Sequence, residues 1–214
     1  MKIIRLLVIA CCLIPVISSA QNGFYIYGVF KSYFPYNPFE GTFSEFFKSL
    51  NGDPQLMNKS IQKRTDTSLF SFYGNISKYD RGPLRSTDIE IRLNEIILPM
   101  SDSLKKVDTF FQYQVIYNFN SANAGPRYVK KIFTDFGREY NGQFSGMKDL
   151  DIKDNGIAIG VSRNYFLFFS PVSPMTVAWA NISDKESVFT IMVRLKLVEN
   201  ELVVYNPTEV KSKN

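Results

Sequence analysis

Chemistry in this chain has to come from carboxylates, hydroxyls, amines and aromatic rings. The 214-residue sequence contains no histidine, and its two cysteines, Cys11 and Cys12, stand inside an apolar N-terminal run. Imidazole-based acid/base catalysis and Ser-His or Cys-His nucleophiles are therefore excluded. Among acid/base enzymes, a hydrolase that works with two carboxylates is the large class left open, because it needs only a pair of Asp or Glu held across a cleft. Asp88 and Glu90 share one face of a predicted strand, but Arg92 beside them reads as the next rung of an exposed charge ladder. Asp149, Asp151 and Asp154 ahead of Gly156 have the spacing of an oxygen-rich calcium loop. Lys153 interrupts that pattern and no closing Glu follows, so the expectation is a hairpin, no metal site and no cofactor.

Aromatic residues are the stronger signal for binding. The segment Phe24 to Phe47 carries eleven aromatics in twenty-four residues. Tyrosine rings stack on sugars or line apolar pockets while their hydroxyls keep a polar contact. Tyr25, Tyr27, Tyr33 and Tyr36 are the expected ligand-binding residues, with the neighbouring phenylalanines in the core. Trp179, the only tryptophan, is expected to be core as well.

These residues need elements to position them. The aromatic segment reads as extended chain up to the break Pro35-Tyr36-Asn37-Pro38. Thr42-Phe43-Ser44-Glu45 has the form of a capping box and predicts a helix from Phe43 to Leu50, ended by Asn51-Gly52. Asp53-Pro54 then predicts a second short helix through Ile61. Strands are expected over Ser68 to Tyr73, Asp88 to Asn94 and Val107 to Phe119, the last two with clean alternation of apolar and polar residues. Val129, Ile132, Phe133, Phe136 and Tyr140 make one stripe at helical spacing, which predicts a long amphipathic helix over Pro126 to Tyr140, with Asn141-Gly142 as its left-handed stop. Strands follow at Asp149 to Lys153, Ile157 to Val161, Asn164 to Phe169, Thr176 to Ile182, Phe189 to Leu197 and Leu202 to Tyr205. Asn155-Gly156 and Glu199-Asn200 mark tight turns between them. The expected fold class is α+β: a mainly antiparallel β-sheet packed with one long helix and short N-terminal helices.

Lys2 and Arg5, the apolar run Leu6 to Ile17 and the small residues Ser18-Ser19-Ala20 have the layout of a secretory signal peptide cut between Ala20 and Gln21. The expected organisation is a leader over 1–20 and a single domain over 21–214, with halves at 21–120 and 121–214 as the alternative. A secreted or periplasmic location follows, with a lipoprotein anchored at Cys11 as the competing reading. No later segment has the about 20 apolar residues of a membrane span. The formal charge is +5, and the lysine and arginine pairs are scattered, which excludes the basic stripe of a nucleic-acid binder. The function expected is a non-enzymatic module that binds a ligand, such as a glycan or lipid, or an envelope protein. A carboxylate-dependent hydrolase of extracellular glycans and a structural or assembly factor are the alternatives.

Overall fold

The computed structural model describes residues 26, 28–79, 84, 86, 88–99, 107–120, 126–167 and 173–204. The chain is α+β, as expected, and mostly antiparallel sheet. Three helical segments are described: α1 over 28–33, α2 Phe43–Gly52 and α3 Pro126–Tyr140. The strands are β1 Met57–Gln62, β2 Ser71–Ser77, β3 Asp88–Pro99, β4 Val107–Asn120, β5 Gly146–Asp154, β6 Ile157–Phe166, β7 Met175–Asn181, β8 Glu186–Val198 and β9 Glu201–Val204. They form one sheet in the order β1-β2-β3-β4-β8-β7-β6-β5, with β9 added to β8. Each of two stretches, α2 to β4 and α3 to β8, is a helix followed by a four-stranded meander, and β4 and β8 meet at the centre. No described helix is long and apolar enough to cross a membrane.

Period-two alternation gives the sheet two unlike faces. On one, Phe72, Leu93, Tyr113, Val193, Met175 and Tyr165 stand side by side across six strands, all buried. The helices pack here. Phe30 of α1 and Phe46 of α2 lie 6.0 and 5.6 Å from the Tyr113 ring, and Phe136 of α3 lies 6.4 Å from Phe189 and 6.0 Å from Tyr165. Stacked, edge-to-face and tilted rings of this kind add to the area they bury. The second face carries polar and small residues, and it is where the candidate site lies.

Local signals explain most of the elements. The capping box of α2 is present: the Glu45 N–H donates to Thr42 Oγ1 and the Thr42 N–H to Glu45 Oε2. That side-chain cap holds the Glu45 carboxyl below its ordinary pKa. The helix runs through Asn51-Gly52 and ends at Asp53, two residues later than expected. α3 occupies its expected bounds with Val129, Ile132, Phe133, Phe136 and Tyr140 buried, but it is one of three helical segments and not a single dominant helix. Asn155 and Gly156 both have positive φ, as do Glu199 and Asn200, so each pair turns the chain in the sense that matches strand twist.

Several expectations are corrected. Residues 26 and 28–33 are helical, not extended, because Ile26, Val29, Phe30, Tyr33 and Phe34 repeat at helical spacing within the aromatic run and are all buried. The Asp53-Pro54 signal makes a turn and not a helix: Asp53 Oδ1 accepts from the Gln55 N–H at 2.7 Å, and the chain then pairs with β2 as strand β1. The first central strand lies at Ser71–Ser77, later than Ser68 to Tyr73. Asn141-Gly142 opens a short 3-10 turn, Asn141–Gln143, and Gly142 is not left-handed. The two strands expected on either side of Ser162-Arg163 are one continuous strand, β6. Its register with β5 shifts between Ile152 and Lys153.

Candidate functional site

The structure takes the expected binding tyrosines in different directions. Tyr25 and Tyr27 lie outside the described residues, as do Cys11, Ala20 and Gln21. Tyr33 is buried beneath α3, with its ring 5.2 Å from Phe136, 6.3 Å from Tyr140 and 6.5 Å from Phe189. Burial and the nearby Glu139 and Asp135 charges push its hydroxyl up to about 12. Tyr36 is half-buried, and its hydroxyl donates to Asp53 Oδ2 at 2.7 Å while its carbonyl accepts from the Tyr113 hydroxyl. These two rings are thus part of the packing between the N-terminal segment and the sheet. Trp179 is partly buried on the helix-covered face, with Lys130 Nζ 5.8 Å from its ring centre.

The second sheet face assembles a different set. Strand register places Ser77, Asp88, Asn118, Val188, Ala180 and Gly160 side by side on β2, β3, β4, β8, β7 and β6. Here a cavity of about 300 Å³ opens at the end of β3, β4 and β8, lined by Asp88, Asn118, Asn120, Glu186, Ile182 and Val188 among others. Each side chain is there for a simple reason. Asp88 and Asn118 are opposite partners in the β3–β4 ladder, Asn120 and Glu186 are the last pair of the β4–β8 ladder, and Ile182 begins the turn that carries β7 into β8.

Hydrogen bonds organise the rim. Asn118 Nδ2 donates to Asp88 Oδ1 at 2.5 Å and reaches Glu90 Oε1 at 3.4 Å, while Glu90 Oε2 accepts from Arg92 Nη2 at 2.6 Å. The ladder of Asp88, Glu90 and Arg92 read from the sequence is therefore real, with Asn118 as the cross-strand link. Ser187 Oγ donates to Asn181 Oδ1 at 3.0 Å and braces the β7–β8 turn beneath Glu186. Arg92 compensates Glu90, but neither Asp88 nor Glu186 meets a cation among the described residues. The cavity thus presents two carboxylates, two amides and an aliphatic wall. Such a set accepts hydrogen bonds from hydroxyl or ammonium groups and covers the apolar side of a small ligand.

Of the aspartates near Gly156, one is committed to an ion pair. Asp149 takes both Nε and Nη2 of Arg163 at 2.7 Å, a two-point pair that holds the Asp149 carboxyl below its ordinary pKa and the guanidinium above. Arg163 in turn lies 4.9 Å from the centre of the Phe133 ring, so this pair ties β5 and β6 to α3. Among the described residues no group of three or more carboxylate, thiol or imidazole side chains is placed to hold a metal ion.

Glu186 is the charged site residue that sequence reasoning did not single out, and Asn118 and Asn120 were not singled out either. Glu186 is the first residue of β8 and has no local pattern of its own; only the pairing of Asn120 with Glu186 brings it to Asp88 and Asn118. In comparisons with known proteins, no family, no curated protein and no solved structure matches this chain.

Proposed function

We propose that this protein is a non-enzymatic binding module that takes a small, hydrogen-bond-donating ligand, hydroxyl-rich or cationic, in the carboxylate-lined cavity at the end of β3, β4 and β8. The observation that carries the reading is the convergence of Asp88, Asn118, Asn120 and Glu186 from three strands on one cavity that no described helix fills. Its lining is acidic and amide-rich, unlike the aromatic platform expected from the sequence. Tyr33, buried beneath α3, is accordingly not a ligand contact in this proposal.

A thermal-shift screen of the chain against oligosaccharides, polyamines and fatty acids tests it. A ligand at about 100 times its dissociation constant stabilises by ~2.7 kcal/mol. One of the first two classes should raise the melting temperature in a saturable way, and the rise should vanish in Asp88→Asn and Glu186→Gln. A rise that survives in both variants would place the ligand elsewhere, and no rise with either class would sink the proposal.

The hydrolase reading is kept for one reason: Asp88 and Glu186 face the same cavity, as a two-carboxylate mechanism requires. Glu186 is exposed, whereas a carboxyl that serves as general acid is normally set in apolar surroundings. Release of reducing sugar from an envelope glycan, lost in either variant, would promote this reading over simple binding. Delivery by a leader cut after Ala20 belongs to the same proposal. The intact mass of the native protein should correspond to a chain beginning at Gln21, and a lipid-modified chain beginning at Cys11 would replace it with a membrane-anchored form.

A further inference from the structure

A second cavity, of about 310 Å³, opens at the β1 edge of the sheet. Strand pairing explains why it is there. β1 runs beside β2 from Gln62, opposite Ser71, to Met57, opposite Asn75, but β2 continues to Ser77 with only β3 for a neighbour. The chain ahead of Met57 leaves the strand line in the Asp53 turn, and the buried Leu56 is seated on Gly74, where an added Cβ would meet Leu56 Cγ at 2.7 Å. The space beyond that contact is bounded by Pro54, Gln55 and Met57 on one side and by Ile76 to Tyr79 on the other.

The lining has an apolar half and a cationic half. Ile76 packs against the core, Tyr79 is buried with its ring 5.9 Å from that of Tyr117, and Met57, although apolar, is 44 % exposed. Methionine is the side chain that adapts most readily to an apolar ligand. Gln55, Ser77 and Lys78 supply the polar groups, and no carboxylate lines the cavity among the described residues. Lys78 follows the last residue of β2 with φ 54°, a conformation that turns the chain so that Tyr79 returns to the core. Lys78 forms no ion pair among the described residues, unlike Lys131 and Lys196. The nearby acids are engaged elsewhere: Asp53 accepts from the Tyr36 hydroxyl and the Gln55 N–H, and Asp88, the β3 partner of Ser77, accepts from Asn118.

We propose that this cavity binds an anionic amphiphile, a carboxylate or phosphate head on a short alkyl chain, with the head at Lys78 and Ser77 and the chain against Met57, Ile76 and Tyr79. An ammonium group and a hydroxyl are donors to such a head, and the apolar wall gives the chain a place out of water. A cavity of this size and mixed lining is ordinary for a small ligand. The site does not depend on the acidic cavity at β3, β4 and β8, which lacks a free cation and is proposed for ligands of the opposite character.

The test is an NMR titration of the full chain with octanoate, octyl phosphate and, as the charge-reversed control, octylammonium, each below its micelle-forming concentration. Saturable shifts of the Met57 and Ile76 methyl signals are expected with at least one anion, and the tighter of the two identifies the head group. Lys78→Asn removes the charge but keeps a residue that tolerates positive φ, and it should weaken binding about tenfold or more. Shortening octanoate to hexanoate should cost about fourfold per buried methylene. Absence of saturable shifts with both anions overturns the site. So does octylammonium binding as tightly as the better anion, hexanoate binding as tightly as octanoate, or unchanged affinity in Lys78→Asn. Should that variant not fold, unchanged affinity in Met57→Ser overturns it instead.

Discussion

The two faces of the sheet are made by the same strands and alternate residue by residue, yet they answer to different physics. On the covered face, Tyr113, Val115, Tyr117 and Phe119 of β4 are buried under three helical segments. One residue over, Gln112, Gln114, Ile116 and Asn118 face away from those helices and are half-buried only by their neighbours in the sheet. The first set carries stability through buried area and ring packing. The second set borders the cavity and carries a network of amides and carboxylates. The lesson is that stability and the proposed recognition fall on opposite sides of one ladder, so substitutions should separate them cleanly.

Predictions that break or sharpen this division can be ranked by size. Phe136→Ala is the most damaging: its ring is fully buried against Tyr33, Tyr140, Tyr165 and Phe189, and its loss should cost about 3–5 kcal/mol in urea denaturation. Gly160→Ala is the test most able to break the comparison, because Gly160 shares its row with the polar face yet has no room. A Cβ there would lie 2.0 Å from the Trp179 carbonyl oxygen and 2.6 Å from the Ala180 Cα, both backbone atoms that cannot swing aside. We expect a loss of about 1–3 kcal/mol or more, against near-neutrality if the face were uniformly tolerant.

Alkali should act through the covered face. Burial holds Tyr113 and Tyr117 well above their ordinary pKa, and Tyr33 is raised to about 12. The unfolded chain loses these protons near pH 10, while the folded chain keeps them. The contribution of these phenols to stability is therefore constant below pH 10 and is lost as pH rises from 10 toward 12 and beyond. Circular dichroism and tyrosinate absorbance, followed together through that range, should show unfolding coincident with the release of the buried phenols. Ionisation of every tyrosine in a chain that stays folded would contradict the burial of these rings. The smallest effect is expected from Asn164→Ala on β6, which removes the 2.7 Å bond from the Thr176 hydroxyl on the polar face; the change in unfolding free energy should stay within about 0.5 kcal/mol.

Local periodicity made much of this fold legible. The alternation in Asp88–Asn94 and in Val107–Phe119, the stripe of α3 and the Asn155-Gly156 turn each specify an element within a dozen residues, and each is present. Legibility failed where two local signals competed. Aromatic density around Phe30 obscured a helical period, and the Asp53 cap signal served a turn because β1 gains a ladder of hydrogen bonds with β2. The candidate site was half visible. Asp88, Glu90 and Arg92 share a strand face in the sequence itself, but Glu186 meets Asn120 and the rest of the site only through a pairing between segments some seventy residues apart.

The same β4–β8 pairing bears on how the chain is made. Every other pairing in the sheet joins strands adjacent in sequence, so each meander can begin to zip as soon as it is synthesised. The edge of β4 away from β3 cannot. Between the emergence of Asn120 and that of Glu186, at 5–20 residues per second, its aromatic-rich outer edge waits about 3–13 s for a mate. For that interval the nascent protein carries an unpaired strand edge, on the strand that bears Phe111, Tyr113 and Tyr117. A holding chaperone, or rapid docking of α1 and α2, has its greatest value there.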